Sequence, residues 1–469
     1  MLSDSSSSIS SIEFVHEIEE PPMEQQAQMR PLIQENHRIL LPSFVSYSSS
    51  SSSLPLWQKR LVVAICSMVL ALEGVNLSLA GPFFPEKAKD KKMSQTQIGF
   101  VIGSFDLANL LFSFVVATLV SPLNLKFFNC VGILFSSVGI GCFALSSEGP
   151  NGDAYFWSAL ASRGVNGVAA SLLYGTTMPI ATHVFPEKSS LVTTIIQVSM
   201  GLGTIIGPPL GSLLIPVWGF KTPFLFTSMC EITLFILAVK FLPSRNVSNR
   251  AKVDNTDYFQ FFFNFSTLSV LIPTSCLFFT SGLRDTAYAL YFQKTLELKT
   301  TTIGYFFIAP SVSYILSGPI IGALVGKGYS GFISAGVNFL GLLTTCMLFV
   351  PRFIPAFENI PWAAMVLLLN GLMFSAIFNP TYLILEKVAC NQGFSDSQQR
   401  KTLAASSFNL IAASGRTIGA YGLGGFINDY LGFYNTYFIY GAILAITSLW
   451  SFTFLLRGKF LQPIYYTVS

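Results

Sequence analysis

Long apolar stretches dominate this sequence and recur about twelve times along its 469 residues. A helix needs about 20 apolar residues to cross the hydrocarbon core of a bilayer, and stretches this long and continuous form helices rather than barrel strands. Only 11% of the residues are charged, whereas a soluble domain typically has roughly 25%. The sequence therefore predicts an all-α membrane protein with twelve transmembrane helices, in the approximate spans 58–81, 96–120, 125–146, 153–180, 189–215, 221–242, 263–291, 301–326, 331–351, 361–384, 402–427 and 433–457.

Charge and cysteine content exclude several other classes of protein. The net charge of +4 is small and scattered, so no nucleic-acid partner is expected. The seven cysteines lie far apart without a C-x-x-C spacing, which predicts neither a disulfide framework nor a metal site. The sequence has no Walker A motif, so ATP-driven pumping is not expected. We therefore expect no cofactor and no metal. We also expect no enzymatic activity, because no motif offers a base, a nucleophile and an oriented partner together.

The two ends and the middle of the chain are polar. Residues 1–56 hold two serine clusters and an acidic stretch, which predicts a disordered cytosolic tail. A polar segment at 243–260 is predicted to be a cytosolic linker between an N-terminal six-helix bundle, 57–242, and a C-terminal six-helix bundle, 261–457, with a second cytosolic tail at 458–469. Lysine and arginine are more frequent in the loops on the side of the termini, so both termini are placed in the cytosol.

An internal repeat supports the division into two halves. Residues 96–100 (TQIGF) open the second span and residues 301–305 (TTIGY) open the eighth, and the dipeptide LG recurs at 210–211 and 423–424. Two similar six-helix halves are the arrangement of secondary transporters, whose substrate site lies between the halves. The alternative is that two apolar helices share some residues by chance.

Two motifs in neighbouring spans resemble signatures of the major facilitator superfamily. The fifth span carries GLGTIIGPPLG at 201–211, in which glycines four apart allow close helix approach and two prolines bend the helix. It resembles the antiporter signature of proton-coupled drug and amine exchangers. The fourth span carries Arg163 in a pattern similar to R-x-x-Q-G, with Asn166 replacing Gln. The resemblance implies the major facilitator fold, working by alternating access, and a gating role for Gly201, Gly203, Gly207, Pro208, Pro209 and Gly211.

A closer resemblance is to the vesicular amine transporter family, in particular its vesicular polyamine branch. It rests on residues 81–85 (GPFFP) with a lysine-rich loop after them, on residues 98–100 (IGF), on the motif in the fifth span and on the Pro-Thr dipeptide at 380–381. The resemblance covers most of 58–457. It implies uptake of a small cationic amine, a polyamine or a monoamine, in exchange for protons across the membrane of an acidic vesicle, with the plasma membrane as the alternative. Gly326 replaces the usual Asp of a loop motif, so the cytosolic gate is expected to be weaker or built differently. The eleventh span lacks the usual Gly-Pro, so substrate identity need not carry over intact.

Ionisable residues inside the predicted spans are the main functional candidates, because a charge in the bilayer is costly and needs a partner. A buried carboxyl group can hold a proton or contact an amine, and competition between the two is the simplest basis for exchange. Family members that transport monoamines or acetylcholine carry an acid at about the place of Glu73, which makes it the first choice for amine contact. The predicted substrate-binding residues are Glu73, Asp106, Asn166, Tyr288 and Tyr314, and the predicted proton-coupling residues are Glu73, Asp106, Arg163 and Asp285.

Each candidate also has a structural interpretation. The carboxyl groups are protonated or paired for stability, Arg163 forms a static ion pair, and the tyrosines pack in the core. Asp285 pairs with its neighbour Arg284, although adjacent residues do not face each other on a helix. Glu231 is expected on a peripheral helix, against lipid-side packing, and Arg416 is expected to neutralise an acid across the interface.

Two other functions fit the same fold. An organic anion or drug transporter would use Arg163, Arg284 and Arg416 as its binding groups. A non-transporting membrane receptor or scaffold would use none of the buried charges directly.

Overall fold

The computed structural model describes residues 55–119, 125–185, 188–243, 255–327, 330–394 and 397–456, all of which belong to one compact unit. Over these ranges the chain is helical almost throughout and has no strand, which confirms the predicted all-α class. The predicted tails lie outside the described residues, apart from 55–56, and so do residues 244–254 of the predicted linker.

Six helices form the part of the chain that we call the N-terminal half. They are α1 (Leu56–Asp90), α2 (Gln95–Leu119), α3 (Leu125–Ser146), α4 (Asp153–Val184), α5 (Ser189–Trp218) and α6 (Lys221–Phe241). Helix α1 passes the predicted end at 81 and continues through Pro82 and Pro85. A proline inside a helix costs about 3 kcal/mol. Burial of Phe83 and Phe84 in the core on this side of the protein offsets that cost.

The C-terminal half has more interruptions. Its helices are α7 (Asn255–Phe262), α8 (Phe265–Leu283), α9 (Ala289–Thr295), α10 (Thr300–Phe306), α11 (Ala309–Gly326), α12 (Ser330–Phe349), α13 (Ile360–Asn391), α14 (Ser397–Ile418) and α15 (Asn428–Leu456). The short helix α7 overlaps the predicted linker at 255–260, so that segment is partly helical. At Gly432 φ is 78°, so α15 is divided there.

Two spanning helices of this half contain a π-helical segment, in which each backbone hydrogen bond spans one residue more than in an α-helix. Arg284–Tyr288 joins α8 to α9, and Gly419–Ile427 joins α14 to α15. Such widened turns are frequent at functional sites. Both segments come from spans that contain predicted buried charges.

The helices satisfy the length requirement of a membrane. In the part of the chain that the structure describes, eight stretches are long and apolar enough to cross a bilayer by length and composition, and one of them, Ser406–Thr453, overlaps two of the predicted spans. Over the described residues each of the twelve predicted spans is mostly helical, with breaks at 263–264 in the seventh span and at 307–308 in the eighth. Large apolar side chains are exposed on the outer surface of the helices, for example Met229 and Leu213 at 68% and 61%. This pattern fits a lipid-facing surface.

Small residues bring α1 and α5 into close contact. A Cβ atom added to Gly203 would collide with the carbonyl oxygen of Ala71, and one added to Gly74 would collide with the carbonyl oxygen of Met200. The expectation that the glycines of the fifth span allow close approach is therefore confirmed. In the C-terminal half, Gly419 packs in the same way against the backbone of Phe279 in α8.

The two halves meet at the end of the molecule where α1 leads into α2, which we call the Gln95 end. Gln95 Nε2 donates to the carbonyl oxygens of Thr286 (2.8 Å) and Gly424 (3.1 Å). Thr96 Oγ1 donates to Asp429 Oδ2 at 2.8 Å. Other bonds between the halves at this end join Gln293 and Thr300 to Glu86, and Ser212 to the carbonyl oxygen of Thr301. The Gln95 end is closed in this conformation.

The internal repeat lies at this closed end. Gly99 of the first copy is in contact with the other half, where an added Cβ would lie 2.6 Å from Gly425 Cα. Gly304 of the second copy is in contact with the first half, where an added Cβ would lie 2.7 Å from Phe83 Cζ. Equivalent glycines thus make equivalent contacts across the interface, in agreement with two similar halves.

The α1–α5 contact predicts a specific stability effect. Gly203→Ala should lower the free energy of unfolding by about 1–3 kcal/mol, because the methyl group overpacks the crossing with α1. Gly336→Ala is the matched control, since nothing lies within 4 Å of its Cβ position in helix α12. Thermal unfolding of the purified variants in detergent checks the difference. Equal midpoints for the two variants would contradict this account of the crossing.

Candidate functional site

A chain of ion pairs crosses the interface between the halves; we call it the interface cluster. Arg416 of α14 lies at its centre, with Nε 2.9 Å from Asp106 Oδ1 of α2 and Nη2 3.4 Å from Asp285 Oδ2. Its Nη1 donates to Ser281 Oγ at 2.7 Å. Arg416 was expected to neutralise an acid across the interface, and its contact with Asp106 does so. The cluster also holds a second acid from its own half.

Asp285 has a second arginine partner. Arg284 Nε lies 3.0 Å from Asp285 Oδ1, so the argument that adjacent residues cannot face each other is wrong at this position. Both residues belong to the π-helical segment, where the wider turn changes the directions of successive side chains. Asp285 also lies against α1, because an added Cβ at Gly81 would be 3.2 Å from its Oδ1. The glycine of the GPFFP motif therefore leaves space for this carboxyl group.

A second polar group, the N-half cluster, lies between α1, α3 and α6. Asn76 Nδ2 donates to Glu231 Oε1 at 2.7 Å, and Ser136 Oγ donates to the same oxygen at 2.8 Å. Glu73 is one turn before Asn76 on α1 and is 1% exposed. Among the described residues, no hydrogen-bond partner reaches either oxygen of Glu73 or Oε2 of Glu231.

Arg163 of α4 connects the two clusters. Its guanidinium lies 4.8 Å from the ring centroid of Phe105 and 5.8 Å from that of Phe143, an arrangement in which a cation is attracted to the ring face. Nη1 donates to the carbonyl oxygen of Asn76 at 3.4 Å. The guanidinium interacts electrostatically with Glu73 on one side and with Asp106 on the other. Arg163 is thus not locked in a single ion pair in this part of the chain.

The other predicted binding residues lie at the edges of these clusters. Asn166 Nδ2 donates to the carbonyl oxygen of Ser136 at 2.9 Å, so its side chain faces α3. Tyr288 is fully buried, and its ring packs against Tyr437 at a centroid distance of 5.7 Å. In this conformation Tyr288 belongs to the aromatic core of the C-terminal half. Tyr314 is half-buried on α11, and its Cε1 is 4.0 Å from the Cβ position of Gly201 on α5.

The predicted gating residues divide between two surfaces of α5. Gly203, Gly207 and Gly211 all face α1, and Gly211 lies against the ring of Phe83. Gly201 faces Tyr314 in the other half. Pro208 and Pro209 lie inside α5, which stays helical through both residues.

Sequence reasoning misplaced Glu231 and did not consider Tyr174. Glu231 was expected against lipid-side packing, but it is 2% exposed and its carboxyl group points inward. Tyr174 of α4 was not considered, yet it interacts electrostatically with Glu73 and Asp106. The signal for Glu231 was Asn76, since a buried amide three residues from an acid on α1 indicates a polar surface that continues onto a neighbouring helix.

Comparison with known proteins agrees with this geometry. The sequence pattern that defines the Major Facilitator Superfamily matches residues 66–420. The MFS-type transporter SLC18B1 of Rattus norvegicus is 27% identical over 405 residues, covering 83% of this chain and 84% of the relative. The Mus musculus protein of the same name is 28% identical over 400 residues, with the same two coverages. These relatives are transporters and not enzymes, and they agree with the branch resemblance found in the sequence.

A solved structure supports the fold. The crystal structure of a bacterial homolog of the human lysosomal transporter Spinster, inward-facing and unoccupied, superposes with a TM-score of 0.68. The identity is 11%, and the superposition covers 87% of this chain and 99% of that chain. At this identity the match establishes the arrangement of helices alone. Because the superfamily pattern covers well over half of the sequence, the chain belongs to the Major Facilitator Superfamily.

Proposed function

We propose that this transporter is a proton-coupled antiporter that moves a small cationic amine, a polyamine or a monoamine, into an acidic vesicle. The observation that carries the proposal is an imbalance among buried charges. Four carboxyl groups lie in the two clusters together with three guanidinium groups; the acids are Glu73, Asp106, Glu231 and Asp285, and the bases are Arg163, Arg284 and Arg416.

The imbalance provides a physical basis for exchange. If all seven groups were ionised, the set would carry one excess negative charge in surroundings where an unpaired charge is costly. One proton or one ammonium group neutralises that charge. Binding of the one therefore weakens binding of the other, which is the requirement for exchange.

The position of the interface cluster links this chemistry to alternating access. Asp106 and Arg416 belong to different halves, so their contact depends on how the halves are placed. The Gln95 end is closed in this conformation, and with both termini in the cytosol it is the luminal end. In the proposed cycle the amine enters from the cytosol and leaves after the Gln95 end has opened, and protons from the acidic lumen are carried back.

The remaining predicted residues have supporting roles in this proposal. Asp106 and Asp285 contact the ammonium group, and Arg163 transmits the charge state of one cluster to the other. Tyr314 and Gly201 lie where α11 and α5 meet, a contact that changes when the halves rock. An anionic substrate is disfavoured, because Arg284 and Arg416 already bind carboxylate oxygens.

Uptake by proteoliposomes tests the proposal. Purified protein reconstituted into vesicles with an acidic interior should accumulate at least one of the labelled cations spermidine, spermine, serotonin and acetylcholine. The accumulation should stop when an ionophore abolishes the pH difference. Uptake of an organic anion without uptake of any of these cations would reject the proposal.

Charge balance in the interface cluster gives a second prediction. Arg416→Gln should reduce cation uptake by at least about tenfold, because removal of one partner leaves a buried charge uncompensated at a cost of roughly 3–5 kcal/mol. Asp106→Asn combined with Arg416→Gln restores the single excess negative charge and should recover part of the uptake. Initial uptake rates, corrected for reconstituted protein, measure both effects.

An exposed ion pair is the matched control for this experiment. Lys221 Nζ lies 3.1 Å from Glu148 Oε1, and these side chains are 42% and 62% exposed. Lys221→Gln, alone or with Glu148→Gln, should leave uptake unchanged, since exposed ion pairs contribute about 0–1 kcal/mol. A double variant at Asp106 and Arg416 that is no better than Arg416→Gln alone would count against the role of net charge.

A further inference from the structure

The N-half cluster contains two carboxyl groups that the interface arginines do not reach by hydrogen bonds. We infer that Glu73 and Glu231 hold one proton between them, and that this pair is the proton site of the transporter while the interface cluster is the amine site. Glu231 thereby becomes a functional residue. The role of the pair in transport rests on the proposed function, whereas the shared proton does not.

The hydrogen bonds of the N-half cluster include too few donors for the acceptor oxygens present. Asn76 Nδ2 and Ser136 Oγ both donate to one oxygen of Glu231. The atoms left without a partner in the described chain include both oxygens of Glu73, Oε2 of Glu231 and Oδ1 of Asn76, all of which are acceptors when the acids are ionised. Glu73, Asn76 and Glu231 are 1%, 0% and 2% exposed, so all three are shielded from bulk solvent. A proton on either carboxyl group converts one of these acceptors into a donor.

The charged surroundings lead to the same conclusion. Titratable groups that interact with the pair from the neighbouring helices are Arg163 and Tyr174 of α4, and Cys230 lies next to Glu231 on α6. Arg163 is the cation of this set, and it also interacts with Asp106 and contacts two aromatic rings. One shared guanidinium does not compensate two ionised carboxylates in a buried site. Glu231 also interacts electrostatically with Glu73. Two buried carboxyl groups that interact in this way titrate as a coupled pair, and one proton remains on the pair.

The carboxyl groups of the interface cluster do not need a proton to complete their hydrogen bonds. Asp106 and Asp285 each accept hydrogen bonds from arginine, at 2.9 Å and at 3.0 Å. Ionised carboxylates are stable in such contacts, and they are free to exchange an arginine contact for an ammonium group. Arg163 lies between the two clusters, so loss of the proton from the pair draws its positive charge away from Asp106 and favours amine binding there. Separate sites coupled through one cation account for exchange without direct contact between proton and amine.

Infrared difference spectroscopy of the purified protein tests the shared proton without any transport measurement. A protonated buried carboxyl group has a C=O stretch that differs from that of a carboxylate and shifts in D2O. At neutral pH the wild-type protein should show one such band, and Glu73→Gln and Glu231→Gln should each lose it. The introduced amide then donates the missing hydrogen bond and leaves the remaining carboxyl group ionised. Glu148→Gln, at an exposed carboxyl group, should keep the band.

Several results would overturn the inference that Glu73 and Glu231 share a proton. If the wild-type protein shows no such band, the pair holds no proton. If the band persists in one of the two single variants, the proton belongs to the carboxyl group that remains in that variant and is not shared. If Glu231→Gln cannot be purified, Ser136→Ala provides the test, because it deletes a hydroxyl group bonded to Glu231. An unchanged band position in Ser136→Ala would also overturn the inference.

Transport measurements separate the proton site from the amine site. Counterflow of labelled amine against the same unlabelled amine needs no net proton movement, whereas accumulation driven by a pH difference does. Glu231→Gln should keep counterflow and lose driven accumulation by at least about tenfold. Loss of both, or retention of both, would contradict a proton-coupling role. If the wild-type protein moves no amine at all, the proposed function fails while the infrared result still decides whether the proton is shared.

Discussion

The contact of Arg416 with carboxylates of both halves is the interaction on which the rest of the structure depends. Removal of an arginine and two aspartates from water is costly, and the cost is recovered only when their geometry is good and their remaining hydrogen bonds are satisfied. Arg416 meets this condition with Asp106 on one side and with Asp285 and Ser281 on the other. The halves must therefore approach closely at this cluster. Any change in their relative placement alters the charge balance of the cluster.

Glycine makes that approach geometrically feasible. Gly99 of α2 lies against the backbone of Ala420 and Gly425, and Gly81 of α1 lies against the Asp285 side chain. In hydrocarbon, helices gain little from apolar burial against each other, so close van der Waals packing and interhelical hydrogen bonds must hold them together.

The two clusters differ in how the negative charge of their carboxyl groups is compensated, and that difference fits two separate roles. In the interface cluster each carboxylate has an arginine partner within hydrogen-bond distance. In the N-half cluster Glu231 is bonded by neutral groups, and Glu73 has no hydrogen-bond partner in the described structure. Neutral donors stabilise a charged carboxyl group less than a guanidinium does. The first cluster is thus suited to charge exchange with another cation, and the second to holding a proton.

The sequence alone determined the class of fold and which charged residues lie within the spans. Backbone groups in a bilayer must be satisfied within each segment, so long apolar runs have to be helices, and a lone acid such as Glu73 is conspicuous within one. It did not determine where α1 ends, because burial of Phe83 and Phe84 by other helices outweighs the two prolines. It also did not determine which charges are neighbours. Asp106 and Arg416 are 310 residues apart, and the inward direction of Glu231 follows from how α6 is rotated against α1 and α3. Only tertiary packing decided these points, because the rotation and crossing of helices depend on contacts between distant residues, whereas helix formation depends on local ones.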